Sequence, residues 1–173
     1  SVNVTSFGRR APTLMEMGGH LVFLQETAAG KGVVGSWRGE FRDTGWNLKM
    51  SPTGVKVKGS GVGCMAREPI KVITPPLKTR QARQMYEQGV LGVYIVSTNE
   101  KSIMVGNFYG ETGGHEKEEA AKKTDKILEV LFNEMGEHGE IPKCIVGDLN
   151  ADPEDIPMAG YLTQEEKWTD CGN

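Results

Sequence analysis

The chain has 173 residues, 38% of them hydrophobic and 25% charged, with 23 Gly and 8 Pro. That apolar content, with no glycine period, excludes a collagen-like rod, a long coiled coil and a wholly disordered acidic tail, and a domain of this size buries roughly 70% of its unfolded surface. The formal charge of −3 hides an asymmetry, because residues 1–110 carry 14 Lys and Arg against 7 Asp and Glu while residues 111–173 carry 6 against 16; the first part suits a polyanion, and the second meets one only through cations.

In chain order, residues 2–4 read as the tail of a strand. A short helical stretch follows over 12–17, with Pro12 in its first turn and Gly18 and Gly19 as its stop. Residues 20–24 form a continuous apolar run that ends in polar Gln25, Glu26 and Thr27, the pattern of a strand buried on both faces with a polar tip. The glycine-rich stretch 30–39 predicts a loop that leads into a strand or irregular segment over 40–49. Strands are expected over 61–66 and 70–74, the second ended by Pro75 and Pro76. Residues 79–88 fit a short helical stripe through Ala82, Met85 and Tyr86, closed by Gly89. Two β-rich runs, 91–97 and 102–108, are joined by the hairpin connection 98–101. Residues 116–136 give the strongest helix, with Ala120, Ala121, Thr124, Ile127, Leu128, Leu131 and Met135 inward and Lys and Glu on the wet side. Favourable i,i+4 pairs are expected between Glu118 and Lys122 and between Glu119 and Lys123. A last strand, 141–146, delivers Gly147, Asp148, Leu149 and Asn150 at its C-terminal end, where α/β sites are built.

Cys64, Cys144 and Cys171 are odd in number and form no CxxC, so neither a disulfide framework nor a zinc site is expected, and a reducing, intracellular compartment follows. No apolar run approaches the roughly 20 residues that cross a bilayer, so no membrane partner is expected. The ends at Ser1 and Asn173 read as those of a piece of a longer polypeptide.

Chemistry concentrates at two strand tips, Glu26 on one and Asp148 with Asn150 on the other. Magnesium takes oxygen ligands and keeps several waters, so one or two carboxylates and a substrate phosphate suffice to hold it. The i,i+2 spacing of Asp148 and Asn150 sets both on one side of an extended segment with Leu149 pointing away; the same two residues are equally at home capping a turn. Arg9, Arg10, Lys31, Arg38 and Arg42 line a polyanion or simply face solvent, and Trp37 and Trp46 either stack on bases or pack in the core.

The ordered set Asn3, Leu24-Gln-Glu-Thr27, Ser60-Gly-Val-Gly63, Asn107-Phe-Tyr109 and Ile145-Val-Gly-Asp-Leu-Asn150 resembles the endonuclease/exonuclease/phosphatase superfamily, the deoxyribonuclease I-like fold. Within it the Leu-Gln-Glu-Thr form, Arg9 and Arg10 after the first strand and Tyr109 after a strand are most similar to the endonuclease domains of non-LTR retrotransposons. The resemblance implies an α/β fold, a two-sheet β-sandwich flanked by helices, with the site at the strand ends along one edge. It assigns Glu26 as the metal-binding glutamate for Mg, with Mn as a substitute. Asn3, Tyr109, Asp148 and Asn150 take catalytic roles, Asp148 aligning or deprotonating water and Asn150 and Tyr109 donating to phosphate oxygens. Arg9, Arg10 and Arg38 are the expected DNA contacts. The implied activity is metal-dependent phosphodiester hydrolysis, DNA nicking above all. The alternatives are a phosphatase or RNA-directed nuclease of the same superfamily, or a degenerate binding domain. A retrotransposon parent implies a nuclear setting. The superfamily's closing Ser-Asp-His element has no counterpart after Asn150, so the chain is expected to be a C-terminally incomplete single domain, 1–173, that needs the downstream part of its parent and is of low activity alone.

Overall fold

The apolar run after His20 becomes a central strand because its alternate side chains find two different partners. In the computed structural model, which describes residues 1–171 except Ser6, 52–59 and Lys167, this strand is β2 (Leu21–Gln25). Phe23 turns inward onto Tyr94 of the facing sheet, with ring centroids 6.0 Å apart, while Val22 and Leu24 turn outward beneath helices. With β1 (Val2–Asn3), β3 (Trp46–Met50) and β4 (Gly63–Arg67) it forms a four-stranded sheet in the order β1-β2-β4-β3. A second sheet has the order β5-β6-β7-β8, from Lys71–Ile73, Leu91–Ser97, Ser102–Tyr109 and Lys143–Asp148. Phe23, Cys64, Ala66, Val72, Tyr94, Val96 and Val105 fill the space between the two sheets.

Helices cover both outer faces. α1 (Phe7–Glu16) and α2 (Lys31–Asp43) pack on the first sheet, and α3 (Arg80–Gln88), α4 (Glu118–Gly136) and α5 (Pro157–Gln164) on the second. Among the described residues, two mixed sheets flanked by five helices form the sandwich expected from the sequence. Among the described residues no helix is long and apolar enough to cross a membrane.

Several local expectations are corrected. α1 begins at Phe7, not Pro12, because Phe7, Ala11 and Leu14 form a buried i, i+4, i+7 stripe that extends the helix upstream of the proline. Residues 31–43 form α2 and not a loop: Val34 and Phe41 lie on one face, and Phe41 stacks on Phe7 with centroids 5.4 Å apart. Burial of that stripe outweighs the roughly 1 kcal/mol each interior glycine costs a helix. Trp46 is 1% exposed and donates its indole N–H to Met15 O, which makes it a core residue. A 3-10 turn at Pro153–Asp155 and α5 follow Asn150, where the sequence offered no clear element.

The wet face of α4 also needs correcting. Lys122 pairs with Glu118 at 2.7 Å as expected, but Lys123 pairs with Glu111 of the preceding loop at 3.5 Å. Glu134 is fully buried, and its carboxylate accepts the backbone N–H groups of Lys78 and Thr79 at 2.7 and 2.8 Å and lies 2.9 Å from His138 Nε2. Burial alone would raise its pKa, yet these donors prevail and hold the carboxyl below its ordinary value. A depressed folded-state pKa stabilises the fold at neutral pH, and that contribution disappears as pH falls from the ordinary carboxylate range through the lowered value. Glu134→Gln is therefore expected to flatten the acid limb of a pH–stability profile followed by circular dichroism.

Candidate active site

Both sheets end in a parallel strand pair at the same edge of the sandwich. In the first, Val2 lies opposite Leu24 and Asn3 opposite Gln25, so Asn3 and Glu26 leave the sheet one residue apart. In the second, Phe108 lies opposite Gly147 and Tyr109 opposite Asp148. A side-chain hydrogen bond joins the two edges: Asn3 Nδ2 donates to Asp148 Oδ2 at 3.1 Å, across 145 residues of chain. The Asn3 carbonyl oxygen accepts the Thr5 N–H at 3.1 Å, so the amide presents its amino group to the carboxylate.

Asp148 and Asn150 are brought together, but not along an extended strand. Asn150 has a left-handed backbone, φ 51°, and its N–H donates to Asp148 Oδ1 at 3.2 Å. The pair thus forms a turn, one of the two readings open from the sequence. Asn150 Nδ2 donates to Gly110 O at 3.0 Å, and Gly110 N–H donates to Asp148 O at 2.7 Å. Gly110 is the one residue type that fits there, because a Cβ would collide with the Leu149 carbonyl and stand 2.8 Å from Thr124 Oγ1. With both Asp148 oxygens engaged once, each retains a lone pair for water. Tyr109 sits beside Asp148, 8% exposed, with its hydroxyl 3.3 Å from Thr112 Oγ1.

Glu26 also has a positive φ, 51°, as does Ala28 at 45°. The strained segment is held down by Thr27 N–H to Gly61 O at 3.0 Å and Ala28 N–H to Ser60 O at 2.8 Å. Its neighbours Gln25 and Thr27 are 1% and 0% exposed, whereas Glu26 is half-buried and its carboxylate has no hydrogen bond or ion pair among the described residues. Thr27 Oγ1, in the next residue, is buried with no hydrogen-bond partner among the described residues.

These features fit a hard divalent cation. The donors at this edge are oxygen atoms, Glu26 is a carboxylate with unspent acceptor capacity, and no cluster of three or more His, Cys, Asp or Glu among the described residues would recruit a softer metal. Magnesium and manganese need no such protein cage.

Arg9 and Arg10, exposed on the first turns of α1, line a pocket of about 330 Å³ with Val4 and Thr5, directly beyond Asn3. Arg38 is not part of that pocket. It is exposed on α2, where its guanidinium opposes the rise that burial imposes on the Tyr86 hydroxyl of α3. Arg42 is exposed, 4.0 Å from Asp43, Trp37 packs partly buried against the core, and the side chain of Lys31 lies outside what is described.

Sequence reasoning gave no role to Asn107 or Gln25. Asn107 is 0% exposed; its Oδ1 accepts from Gln25 Nε2 at 2.6 Å, and its Nδ2 is 3.0 Å from Leu24 O and 2.9 Å from Gly63 O. The side chain ties β7 to β2 and β4 across the sandwich, directly beneath the site. The available signal was an amide in the middle of an otherwise apolar strand.

No protein-family model and no curated protein sequence matches the chain. Solved structures do. D. rerio TDP2 complexed with single-strand DNA product is 17% identical, with TM-score 0.57 over 88% of this chain and 57% of that one. The 3′ phosphatase NExo from Neisseria, bound to product DNA hairpin, is 20% identical, with TM-score 0.55 over 88% and 60%. The endonuclease domain of TRAS1, a telomere-specific non-LTR retrotransposon, is 14% identical, with TM-score 0.56 over 94% and 68%. The chain has the endonuclease/exonuclease/phosphatase fold. It spans about three fifths of the length of the first two of these neighbours.

Proposed function

We propose that the chain carries the catalytic edge of a divalent-metal-dependent phosphodiesterase acting on DNA, an endonuclease domain of a longer, retrotransposon-like polypeptide. The observation that carries this reading is the Asn3–Asp148 hydrogen bond, which unites the tips of two sheets whose other tip residues are Glu26, Tyr109 and Asn150. Supporting it, neighbours of the same fold include proteins solved with DNA and a retrotransposon endonuclease domain.

Glu26 would hold the metal, which supplies charge neutralisation at the phosphoryl and leaving oxygens. Asp148, fixed at both oxygens, accepts a proton from the attacking water and aims its oxygen at phosphorus. Asn3 keeps that carboxylate in place. Asn150 and Tyr109 would orient phosphate oxygens, contacts that position the backbone without reading sequence.

Arg9 and Arg10 carry the adjoining backbone. The double change Arg9→Ala with Arg10→Ala is expected to weaken binding of a single-stranded oligodeoxynucleotide uniformly across sequences and to lower the slope of log affinity against log salt by about 1–2. An unchanged slope would remove these residues from the interface.

The whole reading is tested by incubating the full-length polypeptide with supercoiled DNA, single-stranded DNA, RNA and 3′-phosphorylated ends, with Mg²⁺, Mn²⁺ or EDTA. Nicked circles that require the metal are expected. Release of inorganic phosphate alone would point to a phosphatase, and binding without turnover to a non-catalytic domain.

A further inference from the structure

His115 and Asp152 come from two different loops of the same edge, and their contact is not needed by the chemistry above. Gly113, at φ 92°, turns the chain after β7. Gly114 then passes so close to the exit of β8 that a Cβ there would stand 2.5 Å from Asn150 O and 2.6 Å from Ala151 Cβ. The two loops are consequently laced together stepwise, Asn150 Nδ2 to Gly110 O, Gly114 against Asn150 and Ala151, and finally His115 Nδ1 to Asp152 Oδ1 at 3.2 Å. The lacing starts at Asp148 and ends four residues later, a span of at most about 13 Å of extended chain. That bound keeps His115 close enough to Asp148 to meet a nucleotide neighbouring the one under attack.

The Asp152 contact holds the imidazole ring in one orientation, yet the His115 side chain remains 59% exposed. Surrounding charge decides what such a ring can meet. Glu116, Glu118 and Glu119 follow His115, and Glu154 and Asp155 follow Asp152. Lys122 and Lys123 are committed to Glu118 and Glu111, which among the described residues leaves Lys117 as the nearby cation outside an ion pair. A rim with this excess of carboxylates repels phosphate oxygens but not the neutral π-face of a base. Unpaired bases are recognised by stacking on aromatic rings, histidine included.

We propose that His115, positioned by Asp152, is a specificity-determining residue that stacks on an unpaired nucleobase flanking the scissile phosphate. The proposal rests on the nucleic-acid reading given above. It predicts a preference for substrates that are single-stranded or frayed on that side.

The test is binding of a short fluorescein-labelled single-stranded oligodeoxynucleotide to the full-length polypeptide in EDTA, with one base replaced in turn by 2-aminopurine. His115→Ala is expected to raise Kd about tenfold, the effect of losing one base–aromatic stack, with no change in salt slope. His115→Phe, which keeps a ring but not the Asp152 contact, should retain most of the affinity. Quenching of 2-aminopurine at one position should vanish in His115→Ala. A salt slope lowered by about one in His115→Ala would mean a phosphate contact and overturn the proposal, as would equal Kd values for wild type and His115→Ala. Failure of the wild type itself to bind the oligonucleotide would remove the nucleic-acid reading, and the proposal with it.

Discussion

Glu26→Gln is expected to lower metal-dependent hydrolysis by the full-length polypeptide about 100- to 1000-fold while leaving its thermal unfolding unchanged. The size follows from losing a preorganised charge-stabilising group at the reacting phosphate. The separation of activity from stability follows from the local structure. Glu26 is presented by a strained turn whose backbone, not its carboxylate, makes the holding contacts to Ser60 and Gly61. The isosteric amide keeps the shape and removes the negative charge that a hard cation requires. Steady-state rates at saturating Mg²⁺ or Mn²⁺, with a melting curve on the same preparation, check both halves. An activity within tenfold of wild type would deny Glu26 the metal.

Asn107→Ala is expected to do the opposite and act on the fold first. The substitution removes the side-chain donor to two buried carbonyls, Leu24 O and Gly63 O, and the acceptor of the buried Gln25 amide. Leaving such groups unsatisfied costs roughly 1–3 kcal/mol each, and partial relaxation brings the expected loss to about 3 kcal/mol. For a domain of this size that lowers Tm by about 6–12 °C. Urea unfolding followed by fluorescence gives the free energy directly. A loss below about 1 kcal/mol would show that the inter-sheet amide network is dispensable.

What was legible in the sequence depended on period and on punctuation. The strand 91–97, its hairpin partner 102–108 and the inner stripe of α4 were readable because each repeats at the interval of its own secondary structure. Thr98 N–H to Lys101 O closes the hairpin at 2.9 Å, and the residues of the α4 stripe are buried as expected. α2 was missed because Gly32, Gly35 and Gly39 signal turns locally, whereas the helix is decided by Phe41 meeting Phe7, a contact 34 residues away in sequence. Glu134 was placed on the wet side because helical charge patterning shows only the helix's own partners, not the N–H groups of Lys78 and Thr79 that it accepts. At the site, Asn3, Glu26, Tyr109, Asp148 and Asn150 were nameable from motif order; Asn3 and Asn150 both hydrogen-bond Asp148, and Tyr109 lies opposite it in strand register. The left-handed turn at Asn150 and the Gln25–Asn107 amide pair were not nameable, since both depend on backbone from remote segments. Arg38 was grouped with Arg9 and Arg10 by charge alone; it lies on α2, outside the pocket that Arg9 and Arg10 line.

The central claim is that Glu26 and Asp148 face one divalent cation at the joined tips of the two sheets. A crystal of the protein grown with Mn²⁺, examined by anomalous scattering at the manganese edge, tests it most directly. The expected map has a peak within about 2.5 Å of a Glu26 carboxylate oxygen, on the side toward Asp148. A peak remote from Glu26, or Glu26 and Asp148 carboxylates turned to opposite faces of the sandwich, would contradict it.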